Sequence, residues 1–435
     1  MKSLAFDYQE PSPGLRPPSP GEAGRGQGES NTQPSPQPSP AKAGEGAEPS
    51  PSAAGRGQGE GSETSPTSVG EVGRRPGEGN AEPSPPSSPA KAEEGVRVRD
   101  FTEPDRAAWN AFVTGHPEGT FFHLAEWQDV LWRSFRHRTF YLLAEREGRI
   151  CGVLPLAQVK SKLFGNSLVS TPFCVYGGPL AEDDATYDAL AERACELARE
   201  LAVDYMEFRN RRRRHAEWPY TEQNVTFRKA IDEDSEKNLL AIPRKQRAMV
   251  RKGIKEGLRS EVDTDIERYY TVYSESMRNL GSPVFSRRFV RVMSEVFGDD
   301  CDIVTVLKGD VPVASVLNFY FRDEVLPYYG GGTPEARAVA GNDFMYWEVM
   351  ERARQRGCRL FDYGRSKRDT GSYDFKIHWG FEPEQLYYEY YLVRLTEMPN
   401  KSRTNPKFEK AIELWRKLPV WVTKLVGPPL AKYLL

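Results

Sequence analysis

The segment FDYGRSKRDTGSYDFKIHWGF (361–381) gathers more reactive side chains than any other stretch of this chain. It holds three acids, of which Asp362 and Asp374 are candidates, two tyrosines, of which Tyr363 is one, and four cations (Arg365, Lys367, Arg368, Lys376). A strand is expected to end at Tyr363, and Gly364 to turn the chain, so that Arg365, Lys367 and Arg368 project from a loop. Ser372-Tyr373-Asp374-Phe375-Lys376 then starts a short helix that stops at Gly380. Lys376 stands between Phe375 and Trp379 in sequence, and desolvation by those rings is expected to lower its pKa.

A second cationic group lies on a helix. Within IPRKQRAMVRKGIKEGL (242–258), a rotation of roughly 100° per residue puts Arg244, Lys245, Arg247, Arg251, Lys252 and Lys255 on one half of the wheel. Ile242, Met249, Val250, Ile254 and Leu258 take the other half, and Gly257 suits a stop. Such a face repels itself unless an anion is near, and pyrophosphate, nucleotide or RNA would serve; the plain alternative is a solvated basic face. Arg211-Arg212-Arg213-Arg214 reads more simply as a solvated loop. Tyr329-Gly330-Gly331-Gly332-Thr333 is a tight turn or a place where backbone meets ligand. No histidine pair has metal spacing, no serine sits in a nucleophile elbow, and there is no Walker A loop or GxGxxG before a helix. No metal is expected.

These groups need a scaffold, and the chain repeats one. TPFCVYGGPL (171–180), a helical stretch at 188–203 and the strand DYMEFRN (204–210) have a counterpart in VLPYYGGGTP (325–334), a helix at 344–357 and CRLFDYGRS (358–366). Tyr176-Gly177-Gly178 aligns with Tyr329-Gly330-Gly331, and Glu207 with Asp362. Hairpins precede each unit: 140–160 turns at Glu147-Gly148, and 302–330 turns at Gly309-Asp310 and Arg322-Asp323. The expected class is α+β, with two mixed sheets side by side and helices on their faces.

Composition sets the frame. Residues 1–95 hold 17 of the 34 prolines, 16 of the 37 glycines and two of the 49 aromatics, so a disordered tail is expected there. AGRGQGE recurs at 23–29 and 54–60, and SPAKA at 39–43 and 88–92, which marks low-complexity sequence. The rest divides into a first domain at 96–230, a second at 231–396 carrying the candidate site, and a helical extension at 397–435. Net charge is −2, so whole-chain electrostatics name no partner. The five cysteines are scattered beside apolar runs, as buried thiols are. No signal peptide or membrane span is evident, and a cytoplasmic location is expected. The run LWRKLPVWVTKLVGPPLAKYLL (414–435) mixes Trp and Leu with Lys and Arg, which allows peripheral membrane contact; its prolines are expected to break any long helix.

Arg247, Val250, Lys252, Lys255 and Gly257 match an R-x-x-I-x-K-x-x-K-x-G pattern, and Gly371, Tyr373, Phe375, Lys376 and Gly380 match G-x-Y-x-F-K-x-x-x-G. The pair resembles the FemABX-like family of Fem peptidyltransferases, in particular its PEP-CTERM/exosortase-associated branch, over about residues 96–395. The coiled-coil arm of some members has no counterpart in the sequence. The resemblance implies tandem acetyltransferase-like (GNAT) domains and direct transfer of an acyl or aminoacyl group to an amine, without a covalent enzyme intermediate. It implies acyl-CoA or aminoacyl-tRNA as donor, an amine-bearing cell-envelope or exopolysaccharide precursor as acceptor, tRNA as a further partner and no DNA. Lys376 matches a lysine that supports the developing oxyanion, and Asp362, Tyr363 or Asp374 would carry the proton. Arg365 and Lys367 would hold an anionic substrate; Arg247, Arg251, Lys252 and Lys255 would hold phosphates, with Tyr329 and Gly331 lining the site. The competing reading is a non-catalytic scaffold on the duplicated fold that binds RNA or a protein partner through the basic helix.

Overall fold

A computed structural model describes residues 95–399 and 406–434. The expected tail falls, but for Gly95, outside them. The first part of the chain forms strands β1 (Arg97–Asp100), β2 (Arg138–Arg146), β3 (Arg149–Ser161), β4 (Gly165–Ser170), β5 (Leu180–Ala181), β6 (Tyr205–Asn210) and β7 (Tyr220–Thr221). Helices α1 (Arg106–Gly115), α2 (Glu126–Phe135) and α3 (Asp184–Glu200) accompany them. Strand β8 (Asn224–Ala230) leads into helices α4 (Ser235–Ala241) and α5 (Arg244–Lys255) and strand β9 (Leu258–Val262). Helices α6 (Glu267–Leu280) and α7 (Arg287–Phe297) follow. The meander β10 (Cys301–Lys308), β11 (Val311–Phe321) and β12 (Glu324–Gly332) precedes helices α8 (Pro334–Ala338) and α9 (Gly341–Gln355). Then come β13 (Leu360–Asp362), β14 (Ser366–Lys367), α10 (Gly371–His378), β15 (Pro383–Gln385) and β16 (Tyr387–Leu392). Helices α11 (Pro406–Lys417) and α12 (Val420–Ala431) end the described chain.

The hairpin turns fall where the sequence puts them. Glu147 and Gly148 both adopt positive φ (53° and 73°), the conformation a two-residue hairpin requires, and Gly309 and Arg322 do the same in the second meander. The two sheets share one plan: four antiparallel strands, a parallel step to a fifth, and beside it a strand brought from the other half of the chain. The first runs β1-β2-β3-β4-β6-β16-β7 and the second β9-β10-β11-β12-β13-β8-β14, each mixed, with a single parallel step at β4/β6 or β12/β13. The duplication is therefore one of sheets.

Two details differ from the sequence reading. The first is an exchange of strands. β8 (Asn224–Ala230) pairs with β13 in the second sheet, and β16 (Tyr387–Leu392) pairs with β6 in the first, so neither sheet is a contiguous run of chain. The second concerns the Tyr-Gly-Gly motifs, which are not equivalent in space. In the parallel steps Glu207 is level with Val169, and Phe361 with Val325, which places Asp362 level with Leu326. Tyr176 lies seven residues past Val169 in irregular chain, whereas Tyr329 lies three past Leu326 inside β12.

An aromatic core joins the halves. Phe121 stacks on Phe319 and packs on Phe297 (both centroids at 4.5 Å), and Trp127 packs on Phe297 at 5.3 Å. A second core lies between α3 and the first sheet, and a third between α5, α9 and the second sheet. At the C-terminus Pro428 and Pro429 stand inside α12 without breaking it. Pro419, by contrast, stands in the gap that parts α11 from α12, as expected of a residue with no N–H and a fixed φ. The helix is held on the body where Gly427 approaches the Val284 backbone so closely that a Cβ would meet its nitrogen at 2.9 Å. Among the described residues no helix is long and apolar enough to cross a membrane.

Candidate active site

The loop that follows β13 is built around Lys376. Gly364 takes a positive φ of 66° and reverses the chain, and the Thr370 side chain accepts the Tyr373 N–H to start α10. From the sixth helical residue after that cap, the Lys376 side chain reaches back under the loop. Its Nζ donates to the carbonyl oxygens of Gly364 (2.8 Å) and Arg365 (3.2 Å). The ammonium lies 5.2 Å from the Phe227 ring centroid and 5.1 Å from that of Tyr363. Those two rings, from β8 and the end of β13, face the nitrogen in place of the sequence neighbours Phe375 and Trp379. Adjacent residues on a helix point about 100° apart, so enclosure comes from across the sheet. Burial lowers the Lys376 pKa to about 7, with Asp362 opposing the shift and Arg365 adding to it.

Asp362 is also buried, at 1% exposure. Its Oδ1 accepts the Gly364 N–H at 2.8 Å, its Oδ2 accepts the Tyr176 hydroxyl at 3.0 Å, and Arg228 Nε approaches Oδ2 at 3.4 Å. Burial raises its pKa, while Arg228, the Gly364 N–H and the Tyr176 hydroxyl pull the other way. The Tyr176 hydroxyl also bonds Thr226 Oγ1 at 2.6 Å. Tyr176 thus ties the first half of the chain to the acid of the second, a contact for which the aligned Tyr-Gly-Gly motifs gave no hint.

The remaining sequence candidates distribute around this centre. Tyr363 is buried against Tyr346 and Phe381, and its hydroxyl has no partner. Asp374 is exposed on α10, roughly 200° around the helix from Lys376. Arg365 reaches the Tyr388 hydroxyl at 3.3 Å, and Lys367 lies in β14, level with Asn224 of β8. Tyr329 donates to the Phe173 carbonyl at 3.3 Å. Gly331 lies in β12 beside α6, where a Cβ would come within 2.5 Å of Ser276 Cβ. Gly331→Ala is therefore expected to cost about 1–3 kcal/mol in a denaturant melt, with Ser276→Gly restoring much of it; an unaltered midpoint would show that the contact does not matter.

Helix α5 carries its cations outward. Arg244, Lys245, Arg251, Lys252 and Lys255 are exposed, and no acid among the described residues lies in ion-pair range of them, while Arg247 bonds the Leu240 carbonyl at 3.1 Å. On the buried side Gln246 donates to Asp343 Oδ1, which also accepts the Trp379 Nε1–H at 3.0 Å. One buried carboxylate therefore links the basic helix to the end of α10.

Beside Tyr176 opens a cavity of about 720 Å³, walled by His116, Glu118, Glu182, Asp183, Asn210 and Tyr187 among others. Arg211, Arg212 and Arg214 line it, while Arg212, Arg213 and Arg214 stay exposed to solvent. Arg211 pairs with Glu384 at 3.1 Å and stands 5.6 Å from the Tyr176 ring centroid; Arg214 pairs with Asp184 and packs on Tyr187. His123, behind the wall, is held neutral by burial, its pKa lowered to about 4. The arginine run was the available sequence signal, but the walls come from separated segments that only folding brings together. Two further polar atoms are buried without partners: Thr333 Oγ1 at the start of α8 and Asn342 Oδ1 at the start of α9.

Four of the five thiols are ill suited to a nucleophilic role. Burial pushes Cys358 up to about 11, Cys195 and Cys301 up to about 12, and Cys174 higher still. Among the described residues no group of three or more His, Cys, Asp or Glu is placed to hold a metal ion.

Comparison with known proteins bears on this geometry. The acetyltransferase (GNAT) domain family matches residues 244–376. Among solved structures the chain is similar to FemX, with TM-score 0.53 and 16% identity over 68% of this chain and 98% of FemX. A tandem GNAT protein from the clavulanic acid biosynthesis pathway gives TM-score 0.47 and 12% identity over 69% of this chain and 100% of its own. The L-PGS of Bacillus licheniformis gives 0.45 and 13% over 74% and 98%. No curated protein matches by sequence. The fold is a tandem GNAT-like arrangement of two mixed sheets, the GNAT match covering most of the second.

Proposed function

We propose that this protein transfers an acyl or aminoacyl group directly from its donor to an amine, with the second sheet as the catalytic half. The observation that supports this most is Lys376, a buried lysine whose pKa is lowered to about 7 beside the equally buried Asp362. A neutral amine attacking a thioester or ester carbonyl generates an oxyanion and releases a proton. Lys376, holding the Gly364 and Arg365 carbonyls, fixes the loop and offers its remaining N–H to that oxygen when protonated. Asp362, joined through the Tyr176 hydroxyl to the wall of the 720 Å³ cavity, is the preferred proton carrier, and Tyr363 and the exposed Asp374 are secondary. The four high-pKa thiols favour direct transfer over an acyl-cysteine.

The cavity would take the amine acceptor. Its mixed rim of arginines and acids suits a polar, multiply charged molecule, in keeping with the envelope or exopolysaccharide precursor that the Fem resemblance suggests. The donor would enter where β12 and β13 part: they pair only from Glu324 to Val325, although β12 continues to Gly332. There the Thr333 hydroxyl and the first N–H groups of α9 fit an anionic donor such as the diphosphate of acyl-CoA. The unpaired cations of α5 favour a second reading, in which aminoacyl-tRNA is the donor or RNA binds without transfer.

Thermal shift separates these readings. A CoA thioester at about a hundred times its Kd would stabilise the fold by about 2.7 kcal/mol, a rise of several degrees. A shift with CoA thioesters and none with bulk charged tRNA supports the CoA enzyme. A shift with tRNA alone supports the tRNA-dependent or scaffold reading, which label transfer to an amine then divides. No shift with either donor would sink the proposal.

A further inference from the structure

Among the large apolar side chains exposed on this body, two groups far apart in sequence lie near each other in the fold. One is the tip of the β3–β4 hairpin, where Leu163 is 75% and Phe164 38% exposed. The tip is shaped by the Ser161 hydroxyl, which accepts the Leu163 and Phe164 N–H groups at 3.1 and 3.3 Å, and exposed Lys160 and Lys162 flank it. The other is α12, whose Trp421 and Leu425, one helical turn apart, are 69% and 70% exposed. The opposite stripe, Thr423, Gly427 and Ala431, is buried against the body. The fold brings the two segments together: Phe164 and Tyr433 lie 6.4 Å apart, and the Lys432 carbonyl is fixed by His137 Nε2 at 2.7 Å.

We propose that the 160–164 tip and α12 form one docking surface for an anionic lipid bilayer. Outward Trp, Leu and Phe on rigidly held backbone suit the boundary between headgroups and acyl chains, where such side chains bury without spanning. Charge points to the same occupant. The tip carries two lysines and no acid, and residues 410–434 carry five cations (Lys410, Arg416, Lys417, Lys424, Lys432) against one acid, Glu413, already paired with Lys417. A second copy of the chain would bring two such cationic faces together, and the 1–95 stretch, with two aromatics, offers little to cover Trp421. The surface is independent of the transfer reading, but it would hold the enzyme beside a lipid-linked acceptor.

Vesicle flotation of the full chain tests this. It is expected to float with vesicles containing roughly 30% phosphatidylglycerol and to remain below with pure phosphatidylcholine, the attraction fading at about 0.5 M NaCl. Two paired variants, Trp421→Ser with Leu425→Ser and Leu163→Ser with Phe164→Ser, alter exposed side chains and are expected to melt as the parent does. Each pair should lower the floated fraction about tenfold. Failure of the parent chain to float, equal flotation on neutral vesicles, or variants that float like the parent would overturn the proposal. So would light scattering that reveals a dimer dissolved by the α12 pair, which would assign the surface to a second copy.

Discussion

Replacing Lys376 with methionine is expected to lower the transfer rate by about 10²–10³-fold, the size of effect seen when one donor to a developing oxyanion is removed. Methionine keeps the length of the side chain and fits between Phe227 and Tyr363, but it cannot hold the Gly364 and Arg365 carbonyls. The loss of those two bonds is offset by relief of the burial cost of an ammonium, so the melting temperature at pH 7 should change little. The pH dependence supplies a signature specific to this lysine. Its pKa is 10.5 unfolded and about 7 folded, so between those values the unfolded chain binds the extra proton. The lysine's contribution is therefore smallest below about pH 7 and grows as pH rises toward 10.5. Melts at pH 7 and 9 should show the parent chain gaining on the methionine variant at the higher pH. Full turnover by the variant, measured with whichever donor shifts the melt, would remove Lys376 from the mechanism.

The second large effect concerns stability, at the acid of the first sheet. Glu207 and Arg209 are each 1% exposed and pair through Arg209 Nε at 2.9 Å. Arg209 also donates to the Cys174 carbonyl at 2.5 Å and packs on the Tyr388 ring at 5.2 Å. Arg209→Ala would leave a carboxylate and a carbonyl buried without their cation, at a cost of about 3–5 kcal/mol. Joint replacement by apolar side chains, Glu207→Leu with Arg209→Met, should restore most of that loss, because it removes the charge along with its partner. Urea melts of the single and double variants decide the matter. A single variant within about 0.5 kcal/mol of the parent would show that water reaches the pair.

The contrast between the two acids explains how much could be read from sequence. Asp362 ends its strand as the sequence indicated, whereas Glu207 lies inside β6, which continues to Asn210; the hairpins around Glu147-Gly148 and Gly309-Asp310 declared themselves through turn chemistry. The burial of Lys376 was legible in kind but not in detail: aromatic density around it was visible, yet the rings that enclose it, Phe227 and Tyr363, arrive from other strands. Short motifs misled where register mattered. Tyr176 and Tyr329 share their Gly-Gly neighbours but differ by four residues relative to the parallel step, because local identity carries no information about strand pairing. The cavity was hidden for the same reason, since its arginines become walls only when α3 and the 116–118 turn close around them.

The exchange of β8 and β16 has a consequence for synthesis. As the chain emerges from the ribosome, β6 must wait for residues 387–392 before its free edge is capped, about 170 residues after the rest of its sheet has been made. Over that stretch of translation the nascent protein presents an open β-edge, and the first sheet closes only with the last strand of the chain.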